Sequence, residues 1–254
     1  MLSNGYSQAQ MERALKSLGL PFSKEALEDA LALIQEKLSF YKTQPLRGDW
    51  FAIFIDGYCA KLRTEEGKLQ EITLFVAVGI DLEGKKEILG FWFWRGKESR
   101  AFWAEVFQDL VNRGVKRVLV FVTDDFRGIG DVIAKLFPFA DHQLCLLHLQ
   151  RNLKRKLSGG AYREAARLLR KIRDARDREE GEGLFFALCR VVEENAMWAE
   201  RLSSKAHKYL AFLGYPEEVR KHIYTTNPLE SVNAGISSGG WSWEGISPRS
   251  GPWR

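Results

Sequence analysis

Continuous apolar runs, each bounded by polar turns, dominate the first half of the chain. The first run is Trp50–Ile55, and it ends in Asp56 and Gly57. Runs of this length that are rich in aromatic and β-branched residues predict strands buried on both faces. Similar runs predict further strands at 72–80, 88–94, 118–123 and 142–147. A carboxylate directly after a buried strand is costly unless it is paired or binds a metal, although a simple Asp-Gly turn also explains the pattern.

Helical spacing of apolar residues separates and follows these strands. It predicts one helix at 99–113, a second at 128–137 and a continuous helical region at 148–220. Three antiparallel strands, a helix, a strand, a helix and a strand are the element order of a ribonuclease H-like mixed sheet. We therefore predict an α/β fold in which the fourth strand lies parallel to the first. Asp124, which ends the fourth strand, should then lie beside Asp56.

The charge is unevenly distributed along this pattern. The net charge is +5 and the pI is about 9.0, but residues 151–176 alone contain ten Lys or Arg and two acids. A basic helical segment of this kind suits a phosphate backbone, although a solvated helix face is the commoner explanation. The candidate DNA-binding residues are Arg151, Lys154, Arg155 and Lys156.

Membrane and secreted proteins do not fit the composition. The chain has no apolar run of eighteen residues, and its N-terminus lacks the pattern of a secretory signal. Its three cysteines are odd in number and widely spaced, which argues against a disulfide framework. We expect a cytoplasmic, nucleoid-associated protein without a membrane partner.

A third acid, Glu230, follows Asn227 and Pro228 at the start of a predicted helix. Its position three residues after Asn227 is also that of a capping box, which is a purely structural role. Together with Asp56 and Asp124 it could supply the oxygen ligands that two-metal phosphoryl transfer needs. Spacing alone leaves the choice between these roles open.

Four motifs together resemble a known family, the Mutator-type DDE transposases of bacterial insertion sequences. The motif with the strongest resemblance is Tyr224–Asn233, which reads YTTNPLESVN. The Cys-x-x-His element at Cys145–Asn152 reads CLLHLQRN, and the stretches 84–92 and 123–128 match the family's strand-turn-strand signature and its second acid. The motifs occur in the family's order between about Pro45 and Ile236.

The resemblance implies a DDE triad on a ribonuclease H-like fold, with Mg²⁺, or possibly Mn²⁺ in its place, as the cofactor. The match places the catalytic and metal-binding acids at Asp56, Asp124 and Glu230. Because Asp125 occupies a position where the family usually has glycine, the choice between Asp124 and Asp125 as ligand stays open, with Asp124 favoured. The other motif residues carried over are Cys145, His148, Asn227 and Asn233.

The Cys-x-x-His pair could also be half of a zinc site. Such a site needs two more ligands. The remaining sulfur and imidazole candidates are Cys59, Cys189, His142, His207 and His222.

The implied domain organisation has five parts. They are an N-terminal helical remnant of a DNA-binding region at 1–45, the ribonuclease H-like core at 46–147, an all-α insertion at 148–222, the start of the core helix carrying the third acid at 223–236, and an irregular tail at 237–254. The tail is dense in Gly, Ser, Pro and Trp, which we interpret as a truncated or frameshifted copy of a longer protein.

The implied activity is DNA strand cleavage and strand transfer at insertion-sequence ends. The partners would be double-stranded DNA, as terminal inverted repeats and target DNA, and further copies of the chain in a homo-oligomer. Two alternatives stay open. One is a catalytically inactive DNA-binding or regulatory remnant, and the other is a ribonuclease H-like nuclease unrelated to transposition.

Overall fold

The computed structural model describes residues 39–63, 69–96, 99–193 and 195–226. The two helices predicted within 7–37, the residues from Asn227 onward and the irregular tail lie outside these ranges. No helix in the described ranges is long and apolar enough to cross a membrane.

The described chain first forms strands and two helices, then helices alone. The strands are β1 (Asp49–Arg63), β2 (Leu69–Ile80), β3 (Lys86–Trp94), β4 (Arg117–Thr123) and β5 (Asp141–Leu144). The first two helices are α1 (Arg100–Asn112) and α2 (Ile129–Leu136). The helical region comprises α3 (Leu146–Lys156), α4 (Gly159–Arg173), α5 (Arg178–Val191), α6 (Ala196–Ser204), α7 (Ala206–Tyr209), a 3₁₀ turn (Ala211–Gly214) and α8 (Glu217–Ile223).

A five-stranded mixed sheet forms the centre of the fold, in the order β3-β2-β1-β4-β5. The pairs β1–β2 and β2–β3 are antiparallel, whereas β1–β4 and β4–β5 are parallel. The predicted α/β class and the predicted parallel pairing of the first and fourth strands are thereby confirmed.

Two predicted strand ends are wrong. β1 does not end at Asp56 but continues to Arg63, because residues 57–63 pair with β2 after the pairing with β4 has stopped at Ile55. β5 ends at Leu144 instead of Leu147, and Leu146 already begins α3. Six apolar residues in a row do not distinguish a strand from a helix start, and here Leu146, Leu149 and Leu153 form a buried helical stripe.

Each face of the sheet packs against a different set of helices. Ile53 and Ile55 point to the face covered by α1 and α2, whereas Ala52 and Phe54 point to the opposite face. That opposite face shares one continuous apolar cluster with residues of the helical region, from Leu146 to Ile223. The helical region therefore has its core in common with the sheet.

The edge strand β5 contributes two buried polar contacts to this packing. The Gln143 side chain is fully buried, and it donates from Nε2 to the Tyr209 carbonyl at 3.0 Å and accepts from the Phe212 amide at 2.7 Å. On the preceding residue, His142 Nε2 lies 2.8 Å from the Thr123 hydroxyl. Both side chains therefore tie β5 to its neighbours.

Gln143→Leu should lower the free energy of unfolding by about 2–4 kcal/mol, because it leaves a buried amide and a buried carbonyl without a partner. Urea denaturation followed by circular dichroism measures the change. The matched control is Gln108→Leu, since Gln108 is exposed on α1 and bonds only to Asn112; it should change stability by less than about 0.5 kcal/mol. Equal effects of the two substitutions would contradict the bridging role.

Acid should destabilise the fold through His142. Burial, with the nearby charges of Lys208, Lys205 and His207, lowers the pKa of His142 from 6.5 to about 3. Between these values the unfolded chain binds more protons than the folded chain, so stability is lost as the pH falls below about 6.5. From pH 7.5 to pH 5 the loss from this residue should reach about 2 kcal/mol.

Urea unfolding of the wild type and of His142→Gln at both pH values isolates this contribution. We expect the wild type to lose more stability than the variant between pH 7.5 and pH 5. Identical losses in the two proteins would show that His142 does not titrate differently on folding.

Candidate functional site

The parallel pairing of β1 and β4 brings two acids to the same place. The last paired residues of the two strands are Ile55 and Thr123, and Asp56 and Asp124 come directly after them. Neighbouring strands lie about 4.8 Å apart, so the two acids follow on adjacent chains at close range. The negative charge of Asp124 contributes to raising the pKa of Asp56.

Asp56 lies in an enclosed position, with 7% of the residue exposed. Its Oδ1 accepts a hydrogen bond of 2.9 Å from the Gly57 amide. Burial is the largest cause that raises the pKa of Asp56, and the charges of His148 and Arg151 oppose it. The carboxylate is therefore held at an electrostatic cost that further positive charge would offset.

Aromatic side chains support both acids from the other face of the sheet. A Cβ atom on Gly57 would come within 2.9 Å of the Phe75 ring, so the residue after Asp56 needs to be glycine. The Phe75 ring also contacts Phe126 edge-on, with centroids 5.3 Å apart. Since Phe126 follows Asp124 by two residues, one ring braces the chain after each acid.

The two adjacent acids of the β4–α2 loop have different surroundings. Asp124 Oδ1 accepts a 2.6 Å hydrogen bond from the Asp125 amide. The Asp125 carboxylate instead pairs with Arg201 Nη2 at 2.8 Å and Lys205 Nζ at 2.5 Å. Asp125 therefore ties the loop to the α6 end of the helical region.

Cys145 and His148 lie in the first turn of α3, next to the two acids. His148 Nε2 is 3.7 Å from Asp56 Oδ1 and 3.4 Å from Arg151 Nη1. Burial opposes protonation of His148, but Cys145, Asp124 and Asp56 outweigh it and raise its pKa to about 9. Burial likewise opposes ionisation of Cys145, yet His148 and Thr226 hold the pKa of this thiol below its usual value.

The alternative zinc site does not form within the described part of the chain. There, no group of three or more His, Cys, Asp and Glu side chains is arranged to hold a metal ion. The same search does not reach Glu230, Asn227 or Asn233, which lie outside the described residues. Thr226, 1% exposed, is the last described residue before them.

The basic candidates follow the site along α3. The helix begins next to Cys145, and all four basic side chains further along it are exposed, namely Arg151, Lys154, Arg155 and Lys156. The Lys156 ammonium lies over the Trp198 ring, 4.7 Å from its centroid. In α4, by contrast, Arg167 is paired with Glu164.

Sequence reasoning missed the partners of Asp125. Arg201 and Lys205 are separated from it by 76 and 80 residues. Two basic residues four positions apart on a helix carry no signal of a distant acid. The role of Tyr224–Thr226 was also missed as a contact, although these residues belong to the motif that pointed to Glu230.

Comparison with known proteins adds the family. The profile described as "Transposase, Mutator family" matches residues 1–238. The transposase for insertion sequence element ISRM3 of Rhizobium meliloti is 29% identical over 242 residues, covering 92% of this chain and 59% of the relative. The transposase for IS905 of Lactococcus lactis is 28% identical over 221 residues, covering 86% and 55%.

A third relative gives the same result. The transposase for IS1081 of Mycobacterium tuberculosis is 28% identical over 232 residues, which cover 90% of this chain and 55% of the relative. The chain thus spans between half and three fifths of the length of these relatives. Since the family profile extends over nearly all of the sequence, the chain belongs to the Mutator family of transposases.

Proposed function

We propose that this chain contains the catalytic core of a DDE transposase with a ribonuclease H-like fold. Asp56, Asp124 and Glu230 are its catalytic acids, and its substrate is the DNA at the ends of an insertion sequence. A water molecule would first cleave a phosphodiester bond and leave a 3′-hydroxyl, and that hydroxyl would then attack the target strand. Terminal inverted repeats and target DNA are the proposed partners, and the active form would be a homo-oligomer.

The observation that carries the proposal is the juxtaposition of Asp56 and Asp124 after the last paired residues of two parallel strands. Family membership makes a DNA-processing role the natural use of this pair. Asp125 is held by Arg201 and Lys205, which supports Asp124 as the acid that serves the reaction.

The donor set fits a hard divalent cation such as Mg²⁺ or Mn²⁺. Carboxylate oxygens are the ligands that Mg²⁺ prefers, and the raised pKa of Asp56 marks a place where a cation would offset an electrostatic cost. Asp56 and Asp124 would hold the cation, with Glu230 assigned as third ligand from its place in the motif. When bound, divalent cations activate the attacking oxygen and stabilise the leaving oxygen.

The exposed basic residues of α3 would guide the DNA to these acids. Arg151 lies one turn after the start of the helix and contacts His148 beside Asp56. Lys154, Arg155 and Lys156 continue the positive charge away from the site. Contacts of this kind with phosphates position a duplex without reading its sequence.

Replacing Asp56 or Asp124 by Ala should lower Mg²⁺-dependent nicking at least about a hundredfold, because each removes a proposed ligand. Nicking is measured on a supercoiled plasmid carrying the inverted repeats that flank the gene. The control is Asp131→Ala, which removes an exposed acid of α2 and should leave the rate unchanged.

Full activity of either variant would rule out the assignment. A wild type that binds the repeats without nicking them would favour the regulatory alternative. Nicking of any DNA regardless of the repeats would favour a general nuclease.

Replacing Lys154 and Arg155 together by Gln should weaken DNA binding and flatten its salt dependence. The slope of log K against log salt should fall by about 0.9 for each phosphate contact that is lost. Fluorescence anisotropy of a labelled duplex in Ca²⁺ measures both quantities.

The control for this pair is Arg117→Gln. Arg117 is exposed but pairs with Asp49 at the opposite end of β4 from Asp124. It should leave the slope unchanged, and a similar change in both proteins would show that α3 is not the DNA path.

A further inference from the structure

The first turn of α3, Cys145–His148, contacts the chain next to both described acids. The Cys145 amide donates a 2.8 Å hydrogen bond to the carbonyl of Thr123, the residue before Asp124. One turn later, His148 Nε2 lies 3.7 Å from Asp56 Oδ1. This turn is therefore fixed in place relative to both acids.

The same turn also holds the segment that leads to Glu230. Cys145 Sγ lies 3.6 Å from Thr226 Oγ1, and both residues are 1% exposed. Next to this contact, the Leu146 amide donates a 3.0 Å hydrogen bond to the Tyr224 carbonyl. Two adjacent residues of the turn thus bind two residues of the Tyr224–Thr226 segment.

Further contacts fix the segment from its other side. The Tyr224 ring packs edge-on against Phe212, with centroids 5.7 Å apart, and the Arg173 guanidinium lies 5.9 Å from its centroid. Thr225, between the two anchored residues, is 4% exposed. Enclosure on this scale for a segment without regular structure is typical of a chain that must hold one position.

The covalent distance from this segment to the third acid is short. Glu230 follows Thr226 by four residues, which span at most about 14 Å when fully extended. Thr226 contacts Cys145, and Cys145 bonds to Thr123, so two contacts connect Thr226 to the residue before Asp124. Anchoring Thr226 therefore confines Glu230 to the neighbourhood of the two aspartates.

We propose that Cys145 and Thr226 are positioning residues whose contact places Glu230 at the pair Asp56 and Asp124. This inference rests on the proposed function. The Cys145 thiol acts here through its packing and its hydrogen bond to Thr226, and it takes no part in the chemical reaction. The Cys-x-x-His spacing follows from the helix, since residues three apart lie on one face and can contact Thr226 and Asp56 at the same time.

The test maps the metal ligands directly. Fe²⁺ bound in place of Mg²⁺ produces hydroxyl radicals with ascorbate and peroxide, and these cleave the backbone near each ligand. In the wild type we expect fragments cut near Asp56, Asp124 and Glu230, all suppressed by excess Mg²⁺. In Thr226→Val and in Cys145→Val the fragment near Glu230 should fall at least fivefold, while the other two persist.

Conservative and matched variants separate positioning from folding. Thr226→Ser keeps the hydroxyl and should restore the fragment near Glu230, and Cys189→Val removes a buried thiol elsewhere and should change nothing. The Val variants should also lower kcat for nicking with KM for the duplex little changed, since α3 and its basic residues are intact.

Three results would overturn the inference. They are an undiminished fragment near Glu230 in both Val variants, equal loss of all three fragments, and failure of Thr226→Ser to restore the third. Failure of the proposed function gives a different result, because the wild type itself would then show no cleavage near Asp56 and Asp124 that Mg²⁺ suppresses.

Discussion

The parallel register of β1 and β4 is the constraint on which the site depends. It fixes Asp56 and Asp124 side by side, in a place that is partly withdrawn from water. Two carboxylates in such a place repel each other and lose hydration, so the surrounding chain has to supply positive charge. His148 and Arg151 from α3 do so on the Asp56 side, and Arg201 and Lys205 neutralise Asp125 on the other.

The helical region is therefore more than a cover for one face of the sheet. It shares its apolar cluster with the sheet, and every charged group that balances the two acids comes from it. Folding of the helices and formation of the site are thereby coupled. A change in packing at α6 would reach Asp124 through Asp125, and a change at α8 would reach it through the Tyr224–Thr226 segment.

Much of this could be predicted from the sequence, because apolar runs and the order of elements are local signals. The five strands, α1 and the proximity of Asp56 to Asp124 all followed from them. The end of β5 could not be predicted, since Cys145–Leu147 suit a strand and a helix start equally well. The continuation of β1 past Asp56 depends on pairing with β2, and the ties from Asp125 to Arg201 and Lys205 join residues far apart in sequence.

The continuation of β1 beyond Asp56 divides the strand into two parts with different tolerance to length changes. Before Asp56 the strand is hydrogen-bonded on both sides, to β2 and β4. One inserted residue there would turn the carboxylate to the opposite face and out of step with Asp124. After Asp56, residues 57–63 pair only with β2, so the hairpin can lengthen or shorten among related proteins while the two acids keep their alignment.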